Sequence, residues 1–212
     1  MYFCTVEISK KNKQETDMNN DTNSGMSRRS ALKCTGMLSA GAFCIGLPTL
    51  TSCNTDMRKC IILYFTATGN CLYVARQLAD VNTELLSIPQ LVRQKRYELK
   101  ADEIGIVYPI YVHPPNMVRE FIKQAKLDSP YKFAVLIYGN SKCNASEIWN
   151  EISRRAGCPF DYITTMIMVN NWLPNFDMNE QIKIDKHIPE SIARISADIA
   201  KQSKWIEPVT EL

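Results

Sequence analysis

Cys60-Ile61-Ile62-Leu63-Tyr64-Phe65-Thr66-Ala67-Thr68-Gly69-Asn70-Cys71 is the stretch that decides the fold. Its first half, residues 60–65, is a short continuous apolar run, the pattern of a strand buried on both faces of a sheet. From Asn70 to Asp80 the apolar residues Leu72, Ala75, Leu78 and Ala79 recur at helical spacing, which predicts a helix packed on that sheet. Between strand and helix, Thr66, Ala67, Thr68, Gly69, Asn70 and Cys71 bring two hydroxyls, a glycine that permits close backbone approach, and N–H groups at a helix N-terminus. Together these form a phosphate cradle. The plain alternative is a Thr/Gly turn that only caps the helix. The loop has no Lys or Arg and lacks the G-K-[ST] ending of a triphosphatase loop, so a monophosphate fits it better than a triphosphate.

Outward from this stretch, strand-like and helix-like segments alternate, the pattern of a parallel sheet covered by helices. Glu84–Ile88 is predicted as a second strand and Glu103–Tyr108 as a third, stopped by Pro109. Pro114 and Pro115 suit a helix start, and Val118, Phe121, Ile122 and Ala125 follow at helical spacing. Lys132–Tyr138 is predicted as a fourth strand, Ser146–Ala156 as a helix, Tyr162–Val169 as a fifth strand and Ile182–Ser203 as a closing helix. The expected fold is therefore α/β: a doubly wound five-stranded parallel sheet of order 2-1-3-4-5, in one domain over residues 53–212.

The chain has 212 residues, 45% of them hydrophobic, and a net charge of +3. Much of that excess lies before residue 53 and leaves the rest near neutral, so no nucleic-acid footprint is visible. Eight cysteines include no C-x-x-C pair, and with no His cluster beside them no metal site is expected. Cys60, Cys71, Cys143 and Cys158 fall within the expected domain. Cys71, at a helix N-terminus, is readable as a reactive thiol or as a small buried residue.

Residues 1–25 are polar and too poor in apolar surface to fold alone, and read as a disordered extension or an upstream mis-start. Ser27-Arg28-Arg29-Ser30-Ala31-Leu32-Lys33 resembles a twin-arginine export motif, with Ala31 where a Phe is usual. Met37–Leu50 is apolar but well short of the roughly 20 residues a membrane-spanning helix needs. It ends in Leu50-Thr51-Ser52-Cys53, which resembles a bacterial lipobox. Residues 26–52 are thus expected to be a lipoprotein signal peptide. Cys53 would accept the lipid, giving an exported, extracytoplasmic, membrane-anchored protein.

The Thr66-Ala67-Thr68-Gly69-Asn70 loop resembles the T-x-T-G-N signature of flavodoxins, whose loop after the first strand holds the FMN phosphate. That resemblance implies FMN as cofactor. It also places Pro109, Ile110, Tyr111, Val112 and His113 around the flavin ring, with Tyr111 set to stack on it and His113 either facing it or structural. Flavodoxins commonly carry a glycine in this second loop, and none lies between Pro109 and Pro115. Tyr138, Gly139 and Asn140 resemble the T-y-G segment at the flavin's pyrimidine edge, with Ile137 in place of the Thr.

The order of these loops with Val118-Arg119-Glu120-Phe121 and Asn170-Asn171-Trp172-Leu173-Pro174-Asn175 is similar to the flavodoxin half of bacterial flavodoxin–ferredoxin fusions. Those fusions continue into iron–sulfur ligands absent here, so a ferredoxin partner would be a separate protein. The implied function is FMN-based electron transfer with a separate ferredoxin or a membrane redox protein as partner. An FMN-dependent NAD(P)H or quinone reductase and a flavin-free binding module on the same fold are the alternatives. No catalytic side chain is required of the carrier.

Overall fold

The computed structural model describes residues 58–111, 113–170 and 176–209. The expected signal segment, Cys53 as the expected site of a lipid, Val112 and residues 171–175 lie outside them. Six parallel strands form the main sheet: β1 (Cys60–Tyr64), β2 (Thr83–Ser87), β4 (Glu103–Pro109), β6 (Tyr131–Tyr138), β7 (Tyr162–Ile167) and β8 (Trp205–Ile206), in the order β2-β1-β4-β6-β7-β8. The first five give the expected 2-1-3-4-5 order.

The expectation of five strands falls short by one. Trp205 and Ile206 extend the sheet beside β7, with the Trp205 N–H donating to the Asp161 carbonyl at 3.0 Å. A two-residue strand is too short to carry a readable period. For the same reason the small second sheet, β3 (Glu98–Lys100) beside β5 (Lys126–Asp128), is invisible in the sequence.

Alternation along the strands splits the core into two layers. On one face Ile61, Leu63, Ile104, Ile106, Ala134 and Leu136 meet helices α2 (Ile88–Gln94), α3 (Asn116–Gln124) and α4 (Ala145–Arg155). On the other, Ile62, Val107, Phe133 and Val135 meet α1 (Asn70–Leu78) and α6 (Ile188–Ala200). Helices on both faces make the sheet doubly wound. The buried face of α1 is Cys71, Val74 and Ala75, with Leu78 partly covered; Leu72 lies one position off it.

Ile88, expected at the end of the second strand, is the first residue of α2, and Pro89 fits that first turn, where its missing N–H costs nothing. The single closing helix expected over 182–203 is two helices. α5 (Met178–Lys183) ends before Ile184, and α6 restarts after His187, whose φ of 49° and following Ile188-Pro189 are incompatible with a continuous helix.

Candidate functional site

β1 pairs with β2 on one side and with β4 on the other, so connections leave β1 and β4 in opposite directions and open a crevice at the carboxyl ends of the strands. A cavity of about 690 Å³ sits there. Its size is that of a small-molecule or cofactor site. Four loops line it. Thr66, Ala67, Thr68, Asn70 and Cys71 come from the loop after β1, and Pro109, Ile110 and Tyr111 from the end of β4. Ile137 to Ser141 and Cys143 follow along β6 and beyond it, while Val169, Asn170 and Phe176 follow β7. None of these described lining residues carries a charged side chain.

The first loop is held open by its own sequence. Gly69 has φ +104°, a region that only glycine enters readily. Its N–H donates to the Thr66 hydroxyl at 3.0 Å, which closes the turn. The first helical bond of α1 runs from the Tyr73 N–H to the Gly69 carbonyl at 2.9 Å. The amides of Asn70, Cys71 and Leu72 therefore have no acceptor within the helix, and no side chain caps this end. Beside these amides the Asn70 side chain donates to the Val169 carbonyl at 3.0 Å, which links the first loop to the fourth. Amides pointing out of a nine-residue helix, beside two threonine hydroxyls, offer an anion hydrogen bonds and the positive end of the helix dipole.

Gly139 serves the opposite wall. A Cβ there would lie 2.9 Å from Cγ of Asn170 and 3.0 Å from its Cα, so only glycine lets the third and fourth loops touch. The Met168 N–H donates to the Tyr138 carbonyl at 2.8 Å and keeps the two strands paired up to this point. Burial pushes the Tyr138 phenol above its usual range, with Lys142 acting the other way.

The second loop is pinned near the sheet. The Ile110 N–H donates to the Ile137 carbonyl at 2.8 Å, and the His113 N–H folds back onto the Tyr111 carbonyl at 2.7 Å. Tyr111 lines the cavity while 63% exposed, placing an aromatic face at its mouth. His113 does not line it.

The chain is similar to solved flavoproteins. One is a flavoprotein in complex with FMN from Lactobacillus acidophilus, with 12% identity over 51% of this chain and 93% of that one, at a TM-score of 0.40. Another is two-electron reduced flavodoxin from Megasphaera elsdenii, with 16% identity over 64% of this chain and 98% of that one, at a TM-score of 0.39. A flavodoxin from the domain Archaea gives 17% identity over 64% of this chain and 99% of that one, at 0.34. No protein-family model and no curated protein matches the sequence.

Of the residues the sequence singles out, the cavity brings together Thr66, Ala67, Thr68, Asn70, Cys71, Pro109, Ile110, Tyr111, Tyr138, Gly139 and Asn140. Gly69 shapes the first loop from its backbone. Ser141, Cys143, Val169 and Phe176 complete the wall together with Asn170, the first residue of the Asn170-to-Asn175 stretch that the sequence singles out. Besides that resemblance, Asn170 carries a plainer signal, an amide side chain just past a strand end.

The reactive-thiol reading of Cys71 fails. Cys71 is 1% exposed and packs with Val74 and Ala75, and burial pushes its thiol up to about 12, so its side chain fills space. Cys60 and Cys158 are also buried and unpaired, whereas Cys143 is exposed, with φ +46° and its sulfur 3.3 Å from the Ser141 hydroxyl.

Proposed function

We propose that this chain is an FMN-binding electron-transfer protein, exported and held at a membrane through a lipid on Cys53. The observation that carries the cofactor is the cavity of about 690 Å³, which opens onto the uncapped N-terminus of α1 beside Thr66 and Thr68. The residues present fit the group. The amides of Asn70, Cys71 and Leu72 and the two hydroxyls form a donor set for a phosphate. Gly139 lets Asn170 close the wall against it, and the lining around Ile110 and Ile137 is apolar enough for a planar ring.

Bound there, the flavin would supply reversible electron transfer. The protein's own part is to bind and orient. Thr66 orders the Gly69 turn through its hydroxyl, Asn70 fixes the first loop to the fourth, and Tyr111 offers its ring at the mouth, where a partner's electron enters or leaves. No described lining residue has to move a proton. The lipid anchor draws its support from the order of basic, apolar and small residues before Cys53.

Titration with FMN, followed by flavin fluorescence and absorbance, tests the cofactor. Binding near 1:1 is expected, with affinity lower by about 10-fold in Thr68→Val, the loss of one hydrogen bond to a charged group, and by at least as much in Thr66→Val, which also removes the acceptor of the Gly69 N–H. Riboflavin, which has no phosphate, should bind equally to all three proteins. Absence of flavin binding by the wild type would refute the reading. An electron carrier shows no steady-state oxidation of NAD(P)H with a quinone acceptor, whereas the reductase does. Mass spectrometry of the protein from its native membrane would report an acylated Cys53 as first residue, or remove the anchor.

A further inference from the structure

Glu207 follows β8 and lies outside the cavity, yet its side chain is only 13% exposed. Its N–H continues the sheet by donating to the Ile163 carbonyl at 2.9 Å. The carboxylate then replaces the next strand residue. It accepts the Thr165 N–H at 2.6 Å, a sheet donor that β8 is too short to reach, and the Thr165 hydroxyl at 2.8 Å. The Thr164 hydroxyl adds a contact at 3.3 Å, and Lys142 closes the arrangement as an ion pair. Burial alone would push this carboxyl up, but Lys142 and the Thr165 donors outweigh it and hold it below the usual range.

Lys142 is the one charged residue within the Gly139–Cys143 wall segment, between Ser141 and Cys143, which both face the cavity. The segment's other hydrogen bonds among the described residues are local: Cys143 N–H to the Ser141 hydroxyl at 3.3 Å, and Ala145 N–H to the Lys142 carbonyl at 3.2 Å. Local turns fix the shape of a loop but not its place against the sheet. Beyond the Gly139–Asn170 contact at the segment's start, the Lys142–Glu207 pair supplies that second constraint, across 65 residues of sequence.

We propose that Glu207 is a positioning residue that moors the Gly139–Cys143 wall to β7 through Lys142 and thereby sets the width of the cofactor cavity. The proposal rests on the FMN reading for its functional consequence but not for its mechanical one. Exposed ion pairs generally contribute little. This one differs because its carboxylate is largely buried and holds backbone and hydroxyl donors as well, so it is a fixed point rather than a mobile partner.

Two arms test the proposal. In ligand-free protein, alkylation of Cys143 by iodoacetamide, followed by peptide mass spectrometry, is expected to quicken about 3- to 10-fold in Glu207→Gln and in Lys142→Met, the loss of a charge-assisted bond. The double variant should be no faster than the faster single one, since both remove the same tie. Buried Cys60, Cys71 and Cys158 should remain unreactive in all of them. In the second arm, the dissociation constant for FMN rises about 10-fold in each variant, while that for inorganic phosphate, which probes the Thr66–Asn70 loop alone, stays unchanged.

Lys142→Met keeps every Thr164 and Thr165 bond, so it remains informative if Glu207→Gln unfolds. Unchanged Cys143 reactivity in Lys142→Met would overturn the proposal, as would equal loss of phosphate and FMN affinity with the buried cysteines exposed. Should the wild type bind no FMN, the cofactor reading falls and the alkylation arm still decides the mooring.

Discussion

Gly105→Ala is expected to unfold at a temperature lower than the wild type by roughly 6–12 °C, although it adds a single methyl group. Gly105 lies on β4 directly opposite Phe133 on β6, and the Phe133 ring occupies the space where a side chain would stand. A Cβ there would fall 2.2 Å from Cζ of that ring and 2.3 Å from Cε2. Either the strands part or the ring leaves its rotamer, and overpacking of this kind costs about 3 kcal/mol. A second cavity, about 210 Å³ and bordered by Phe133, Leu78 and Ile199, gives the ring somewhere to turn, which limits the cost to that range.

The compensating change identifies the cause. Phe133→Leu alone leaves a void and loses stability, but it also vacates the space that the methyl group added by Gly105→Ala needs. The double variant should therefore be more stable than the sum of the two losses by at least about 1 kcal/mol, a coupling expected only for residues in contact. Thermal unfolding of the four proteins measures it, and additive losses would show that Gly105 is required for some other reason.

How far the sequence discloses the site depends on how many signals meet at one place. The first loop is legible because a buried strand, a helical period and a phosphate-binding composition adjoin within Cys60–Leu78. The third and fourth loops are only half legible. Gly139 stands out in the sequence, but the reason for it does not, since Asn170 comes to rest against it only after β6 and β7 pair. Such a contact has no local pattern.

The same holds for Glu207, which reads as one more surface charge until β8 adds to the sheet. Very short elements are hidden for another reason: Trp205–Ile206 and the three-residue β3 and β5 have too few positions to show a period, and tertiary pairing alone creates them. The start of α2 is masked differently, because Leu85, Leu86 and Ile88 extend the apolar run of β2 past Ser87, and Pro89 is the only mark of the change.

The sharpest test of the first loop compares two glycines that both have positive φ and differ in place. Gly69, with φ +104°, and Gly157, with φ +72°, both have positive φ, and a Cβ at either would meet nothing within 4 Å. Alanine at each position therefore adds backbone strain without a clash. Gly157 ends α4, its N–H bonded to the Arg154 carbonyl at 3.0 Å, and lines no part of the cavity. Gly157→Ala should lose about 1 kcal/mol of stability and leave ligand affinity untouched.

Gly69→Ala should lose about 1–3 kcal/mol, because φ near 100° lies beyond the left-handed region that alanine tolerates. Relief of that strain turns the peptide at the start of α1, breaks the Gly69–Thr66 bond and redirects the amides that face the cavity. Affinity for FMN, and for inorganic phosphate, should then fall about 10- to 100-fold, equivalent to one or two charge-assisted hydrogen bonds. Chemical denaturation and ligand titration on both variants separate the two effects. Equal affinities in Gly69→Ala and Gly157→Ala would mean that the loop's conformation serves only the fold, and the phosphate would have to be held elsewhere in the crevice.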